Sequence, residues 1–288
     1  MPALEISPLA GSLGAEIRGV DLGAPIDDDT FAAIHRAYLE HHVVFFPKQS
    51  LDPAEHVAFG RRFGELTPAH PILPPLEGHP EVLVLDSSQG GKANEWHTDV
   101  TFVERPPAGS ILHAQVVPEH GGDTQWANLE KAHDGLSEPL RRLCTGLVAI
   151  HDAREVFGSY QDRNVARDED WRRKALEMPQ VEHPVVRIHP ETGRRCLFVN
   201  PGFTRSIKGF SRRESDGLLQ LLFEHSVQPE YVVRWRWSSG DVVMWDNRCT
   251  MHYAIDDYGT APRRVHRVTI RGERPVGPAL RNDVLSAS

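Results

Sequence analysis

Trp96-His97-Thr98-Asp99 carries the clearest chemical potential in this chain. Residues two apart on a strand face the same side, so His97 and Asp99 can present an imidazole and a carboxylate together. The pattern His-x-Asp/Glu is weak evidence by itself: 16 histidines and 40 acidic residues in 288 positions predict about two by chance. Three occur, at His79/Glu81, His97/Asp99 and His189/Glu191. Pro80 and Pro190 sit in the middle of the first and last, which reads as exposed turns rather than ligand-bearing strands. A third ligand can come from Asp246-Asn247-Arg248-Cys249-Thr250-Met251-His252, directly after the apolar run 242–245. Two histidines and one carboxylate on one face of a metal leave its other positions open, the arrangement of non-heme Fe(II) oxygenases. A zinc hydrolase can use the same three residues with water in the open position.

An α-keto acid bound beside such a metal needs a cation for its far carboxylate. Arg263 follows His252 on the next predicted strand, with Arg267 on the same face and Arg264 pointing away. The planar guanidinium suits this role because it meets a carboxylate or sulfonate with paired hydrogen bonds.

The elements that must position these residues are short and numerous. Runs at 43–46, 82–85, 110–116, 147–151, 185–189 and 196–199 are β-branched or apolar and bounded by turn residues. Val233, Trp235 and Trp237 alternate with Arg234 and Arg236, and Ser238-Ser239-Gly240-Asp241 predicts a hairpin into 242–245. The closing run 263–271 alternates basic and apolar positions. Helices are expected over 29–41, behind the cap Asp52-Pro53-Ala54-Glu55, and over 212–225 behind the capping box Ser211/Glu214. Strands in both halves, with helices early and between them, predict an α+β fold with a sandwich or barrel core in one domain, 1–288.

Composition narrows the function classes. With 40% hydrophobic and 25% charged residues the chain is too apolar for disorder. Its longest apolar stretches, such as Val43-Val44-Phe45-Phe46, are far below the roughly twenty residues a membrane helix needs. A net charge of −8 argues against a broad nucleic-acid surface. Cys144, Cys196 and Cys249 are scattered, and the start lacks a basic, then apolar, leader pattern, so reduced thiols and a cytoplasmic location are expected.

These segments together resemble the taurine/2-oxoglutarate dioxygenase (TauD/TfdA) family of Fe(II)-dependent oxygenases. The likeness runs through Leu13-Gly14-Ala15-Glu16-Ile17, Val43-Val44-Phe45-Phe46, Phe63-Gly64-Glu65-Leu66 and Trp96-His97-Thr98-Asp99-Val100-Thr101-Phe102. It continues through Gly121-Gly122-Asp123-Thr124, Phe198-Val199-Asn200, Trp245-Asp246-Asn247-Arg248 and His252-Tyr253-Ala254. The resemblance implies a double-stranded β-helix (jelly-roll) core with helical insertions. It further implies Fe(II), 2-oxoglutarate and O2 as metal, cosubstrate and oxidant.

By position, His97, Asp99 and His252 match the family's iron ligands. Thr124 and Arg263 match the pair that holds the distal carboxylate of 2-oxoglutarate, and Arg267 the arginine near its C1 carboxylate and the substrate anion. His70 and Arg267 match the residues that hold a sulfonate, while Val100, Phe102, Phe157 and Phe203 match the pocket wall. Leu73 and Ala93 stand where a tyrosine and an asparagine would hold taurine's amine. Trp96, Asp246 and Asn247 either orient the ligands or simply pack. The implied reaction acts on a small anionic organosulfur substrate: it hydroxylates the carbon beside the sulfur group of an organosulfonate, taurine-like or an apolar alkyl sulfonate, releasing sulfite, an aldehyde, succinate and CO2; the alternative is an alkyl sulfate ester that releases sulfate. An apolar-tailed substrate is expected to outperform taurine, because a buried ammonium without partners is costly. No nucleic-acid or membrane partner is expected, and a homo-oligomer is compatible with the sequence.

Overall fold

Short β-branched and aromatic runs build most of the core, as their strand preference dictates. The structure, a computed structural model, describes residues 4–89, 93–159 and 165–279. Eight strands form a large sheet in the order Glu5–Pro8, Ala15–Arg18, Val43–Phe46, Val242–Asp246, Gly109–Val116, Arg264–Ile270, His79–Asp86 and Pro75–Leu76. Val43–Phe46 and Val242–Asp246 are buried at every position, which explains why they read as continuous apolar runs rather than alternating ones.

A second sheet places Thr124–Asn128 between Val232–Trp235 and Thr250–Ala254, all antiparallel. Phe45, Val243, Trp245 and Val265 of the large sheet pack against Trp126 and Val233 of the second in one apolar cluster. Each such side chain contributes about 1.5–3 kcal/mol when fully buried. A flanking sheet of Thr204–Ile207, Val148–His151 and Val181–Pro184 lies beyond, beside the ribbon Val186–Ile188/Arg195–Leu197.

The helices begin where their caps predict. Asp27 caps Asp28–His41, and full capping boxes open Pro53–Arg61 (Asp52/Glu55) and Arg212–Ser226 (Ser211/Glu214). Ile34 and Tyr38 dock the first helix on the large sheet, and Leu219 and Leu222 bury the last. The result is a mixed α/β chain with a sheet-rich core. No helix among the described residues is long and apolar enough to cross a membrane.

Two local expectations fail for identifiable reasons. The hairpin between the 233–237 run and 242–245 does not form. Val232–Trp235 pairs with Thr124–Asn128, whereas Val242–Asp246 pairs with Val43–Phe46 and Gly109–Val116 in the other sheet. The intervening turn is a corner between sheets. Asp241 Oδ2 accepts hydrogen bonds from Ser238 N and Trp235 Nε1, and Gly240 adopts φ +83° against the Gln49 backbone, where a Cβ would clash. His79-Pro80-Glu81 lies inside the strand His79–Asp86 rather than in a turn. Proline is tolerated there because pairing with Arg264–Ile270 begins only at Leu83.

Candidate active site

Thr250–Ala254 presents His252 at the edge of the second sheet, and the incoming segment with His97 docks against it. No regular strand carries His97 and Asp99; His97 makes an isolated bridge to His252 through two backbone hydrogen bonds, 3.0 Å (His97 N to His252 O) and 2.8 Å (His252 N to His97 O). The bridge nonetheless aims His97 and Asp99 at the same point. Nε2 of His97 lies 3.8 Å from Asp99 Oδ1, and Nε2 of His252 lies 4.0 Å from it.

The protonation of this group suits a metal. His97 Nδ1 donates to the Glu95 carbonyl at 2.7 Å, which leaves the Nε2 lone pair toward Asp99 and His252. Burial, and next the neighbouring His97, hold the His252 pKa well below the ordinary histidine value, so its ring is neutral. Burial opposes the charge on Asp99, but Arg267 foremost, with Ser110 adding a hydrogen bond, overcomes it and holds the carboxyl well below its usual range. Two imidazoles and one carboxylate are a donor set that fits Fe(II).

Asp99 is held on every side. Ser110 Oγ donates to Oδ2 at 2.7 Å and Arg267 Nη1 to Oδ1 at 2.6 Å. Asn247 clamps its backbone: the Asp99 N–H donates to Asn247 Oδ1 at 2.8 Å, and Asn247 Nδ2 donates to the carbonyls of Asp99 and Pro107, both at 3.0 Å. Asn247 therefore orients the acidic residue rather than merely packing. Trp96 packs on Tyr253 at 5.7 Å, and its carbonyl accepts from Gly202 N. Gly202 passes so close to His97 that a Cβ there would lie 2.8 Å from the His97 Cβ. Sequence reasoning missed both Ser110 and Gly202; a lone serine between Gly109 and Ile111 in an apolar strand is the one signal that pointed to the former.

The three side chains open onto a cavity of about 970 Å³. Thr124, Arg263, Arg267, His70, Leu73, Ala93, Val100, Phe157 and Phe203 all line it. Phe102 is the exception. It is buried behind the wall, edge-on to Phe203 at 4.8 Å and Phe157 at 5.9 Å.

Thr124 Oγ1 accepts from Trp237 Nε1 at 2.9 Å, which leaves its own proton for an acceptor in the cavity. Arg263 precedes the strand Arg264–Ile270 and rests against Gly122 O, while Arg264 turns outward to Asp86. His70 Nδ1 accepts from the backbone N–H groups of Ile72 and Leu73, each at 3.1 Å. Its Nε2 must then carry the proton. Burial, reinforced by Arg267, pulls the His70 pKa down to about 3, so the ring is a neutral N–H donor at pH 7.

Histidine and acid side chains gather a second time, away from the cavity. His42, Glu130 and Cys249, and His189, Asp246 and Cys249, form two overlapping groups. Asp246 accepts a fork from Arg248 (2.8 and 2.7 Å) and a hydrogen bond from His189 at 2.9 Å. Arg248 also reaches Glu191, and Arg194 pairs with Glu130. His189, expected in an exposed turn, is only 1% exposed because this network draws it inward.

Two imidazoles and a carboxylate on the wall of a cavity that also holds arginines define a metal-dependent enzyme for acidic small molecules. The chain belongs to the taurine catabolism dioxygenase TauD, TfdA family, whose model matches residues 5–269. It is thus a 2-oxoglutarate-dependent dioxygenase that uses Fe(II) and O2, and the hydrolase reading falls away. It is 47% identical over 277 residues to an alpha-ketoglutarate-dependent sulfate ester dioxygenase of Pseudomonas putida (95% of this chain, 91% of the relative). An alkylsulfatase of Acinetobacter baylyi is 43% identical over 278 residues (95% and 87%). The crystal structure of a taurine dioxygenase from Burkholderia xenovorans superposes with a TM-score of 0.83 at 41% identity (96% and 94%).

Proposed function

We propose that this dioxygenase oxidises alkyl sulfate esters with apolar tails, releasing sulfate and an aldehyde. The observation that carries the reading is the cavity's mixed lining. His70 and Arg267, which can bind an anion, share it with Leu73, Phe157 and Phe203, and Leu73 packs on the apolar cluster that includes Val100, Phe102, Phe157 and Phe203. The likeness to a sulfate ester dioxygenase and an alkylsulfatase supports the ester over a sulfonate. A sulfonate, the second reading, draws support from the taurine dioxygenase structure and would release sulfite instead. In this reading the whole chain is one domain, and the large and second sheets are the two faces of a double-stranded β-helix.

His97, Asp99 and His252 would hold the iron, which supplies oxidation of the substrate carbon coupled to conversion of 2-oxoglutarate to succinate and CO2. The chain's own residues do the positioning. Thr124 donates to the distal carboxylate of 2-oxoglutarate and Arg263 pairs with it. Arg267 donates to Asp99 and lines the cavity beside it, and in this reading it meets both the C1 carboxylate and the sulfate. The His70 Nε2–H donates to a sulfate oxygen as a neutral group, so its contribution does not fade as pH rises through 6–8. Phe157 and Phe203 keep water from the carbon next to the ester oxygen, and hydroxylation there makes that carbon expel sulfate as the aldehyde forms.

A panel of taurine, hexanesulfonate and hexyl sulfate, with succinate, sulfite and sulfate measured together, tests this. Hexyl sulfate is expected to give equal succinate and sulfate at the highest kcat/KM. Faster turnover of taurine than of both apolar substrates would sink the tail assignment.

A further inference from the structure

Between Asp99 and Phe102 the chain takes a turn that its residue types resist. Val100 sits at φ +54°, in the left-handed region where a β-branched side chain is strained. Such a conformation persists only where its surroundings hold it. The groups that hold it come from outside the cavity. His183, on Val181–Pro184, directs Nε2 at two carbonyl oxygens, Thr101 O at 2.9 Å and Val103 O at 3.1 Å. His151, on the paired strand Val148–His151, places Nδ1 3.0 Å from Thr101 Oγ1, and Asn200 Nδ2 donates to the same hydroxyl at 3.2 Å. All four residues are buried.

Two carbonyls can only accept, so His183 Nε2 carries its proton. Its Nδ1 is then a buried lone pair with no hydrogen-bond partner. A ring that leaves one nitrogen unpaired is a poor choice for filling space. What it supplies is the bridge across the two carbonyls.

We propose that His183 is a positioning residue for the metal-binding loop, with His151 and Asn200 fixing the Thr101 hydroxyl beside it. The latch keeps Val100 left-handed, so that Asp99 faces His97 and His252 while Phe102 turns back against Phe203. Asn247 fixes the Asp99 backbone, and the His183 bridge fixes the chain two and four residues later. The inference rests on Asp99 being a metal ligand.

Mn(II) binding without cosubstrate, followed by the EPR signal of the free ion, tests it apart from turnover. His183→Leu keeps the bulk and removes the donor; His183→Gln returns an N–H near the Nε2 position. The leucine variant is expected to raise the Mn(II) Kd about 10-fold or more, the usual cost of losing support behind a metal ligand. The glutamine variant should stay within about threefold of the parent. Native-like binding by His183→Leu, or equal losses in both variants, overturns the latch. Asp99→Ala in the same assay reports on the ligand reading: unchanged Mn(II) affinity there overturns that reading, whereas its loss alongside a silent His183→Leu overturns the latch alone. Should His183→Leu fail to fold, His183→Asn, whose shorter amide does not span the two carbonyls, takes its place, with His183→Gln as the rescue. Weakened binding in the asparagine variant that glutamine restores supports the latch, and native-like binding in the asparagine variant overturns it.

Discussion

The triad His97, Asp99 and His252 and the group of His42, Glu130, His189, Asp246 and Cys249 use the same side-chain chemistry but differ in their access to the cavity. In the larger group the cations are built in: Arg248 forks onto Asp246 and Arg194 pairs with Glu130. Cys249 meets His42 Nδ1 at 3.4 Å, and burial keeps the thiol pKa well above its ordinary value. In the triad, two Nε2 lone pairs and a carboxylate oxygen converge at a cavity wall. Residue types do not separate the two groups. Access to a cavity does: Asp99 too is paired within the fold, with Arg267, but the triad lines the cavity and the larger group does not. In the proposed reading the cluster away from the cavity stabilises the fold, and the one at the cavity holds the metal.

Substitutions that exchange these roles would break the contrast. His97→Ala removes a donor from the triad and should cut turnover about 10⁴-fold, about 5 kcal/mol in activation free energy. Its urea midpoint should move little, by the equivalent of about 1 kcal/mol. Asp246→Asn should do the reverse. It leaves the buried Arg248 guanidinium short of its counter-charge, at a cost of about 3–4 kcal/mol in unfolding free energy. The folded fraction should still bind Mn(II). A stable Asp246→Asn protein that no longer binds metal would merge the two clusters into one functional unit.

Acid sharpens the same contrast. Burial lowers the His42 pKa to about 4, below the ordinary 6.5 that it regains on unfolding. The unfolded chain therefore binds the extra proton between those values, and stability is lost as pH falls from about 6.5 toward 4. Between pH 7 and pH 5 this one residue should remove about 2 kcal/mol, and His183, lowered to about 4 by its own burial, adds a similar amount. Urea titrations at the two pH values check this, and a His42→Gln variant should show a shallower dependence. A pH dependence that His42→Gln leaves unchanged would mean that His42 keeps its ordinary pKa in the fold.

The closeness of His97 to Asp99 and a strand ending near His252 left traces in the chain, but His252 was singled out by the family resemblance, and an isolated bridge rather than the expected strand carries the pair. The capped helices were legible from local signals; Arg263 and Arg267 both line the cavity, although Arg263 precedes the strand expected to hold it. What was not legible depends on partners far away in sequence. Asn247 clamps Asp99 across 148 positions, and His183 reaches Thr101 across 82; neither contact has a periodicity to detect. His189 read as an exposed turn because Pro190 is a strong local signal, whereas its burial is decided by Asp246, 57 positions on. The false hairpin has the same origin. Ser238-Ser239-Gly240-Asp241 does turn the chain, but the sheet that receives the next strand is chosen by Val43–Phe46 and Gly109–Val116.

The smallest expected effect tests the cavity's apolar lining against its anion-binding residues. Leu73 is half-buried, lines the cavity and packs with Val100, Phe102, Phe157 and Phe203, so it can serve as a tail contact or as core filling. The two roles respond differently to Leu73→Ala. As a tail contact it loses apolar area only for substrates long enough to reach it, so kcat/KM for hexyl sulfate should fall about fivefold, about 1 kcal/mol, relative to ethyl sulfate. As core filling it would slacken the loop that holds His70, through the Leu73 N–H bond to His70 Nδ1, and depress both substrates alike. The ratio of the two specificity constants discriminates because both substrates share the sulfate, so any fault at His70 or Arg267 cancels. A ratio unchanged from the parent would assign Leu73 to packing and leave the tail to Phe157 and Phe203.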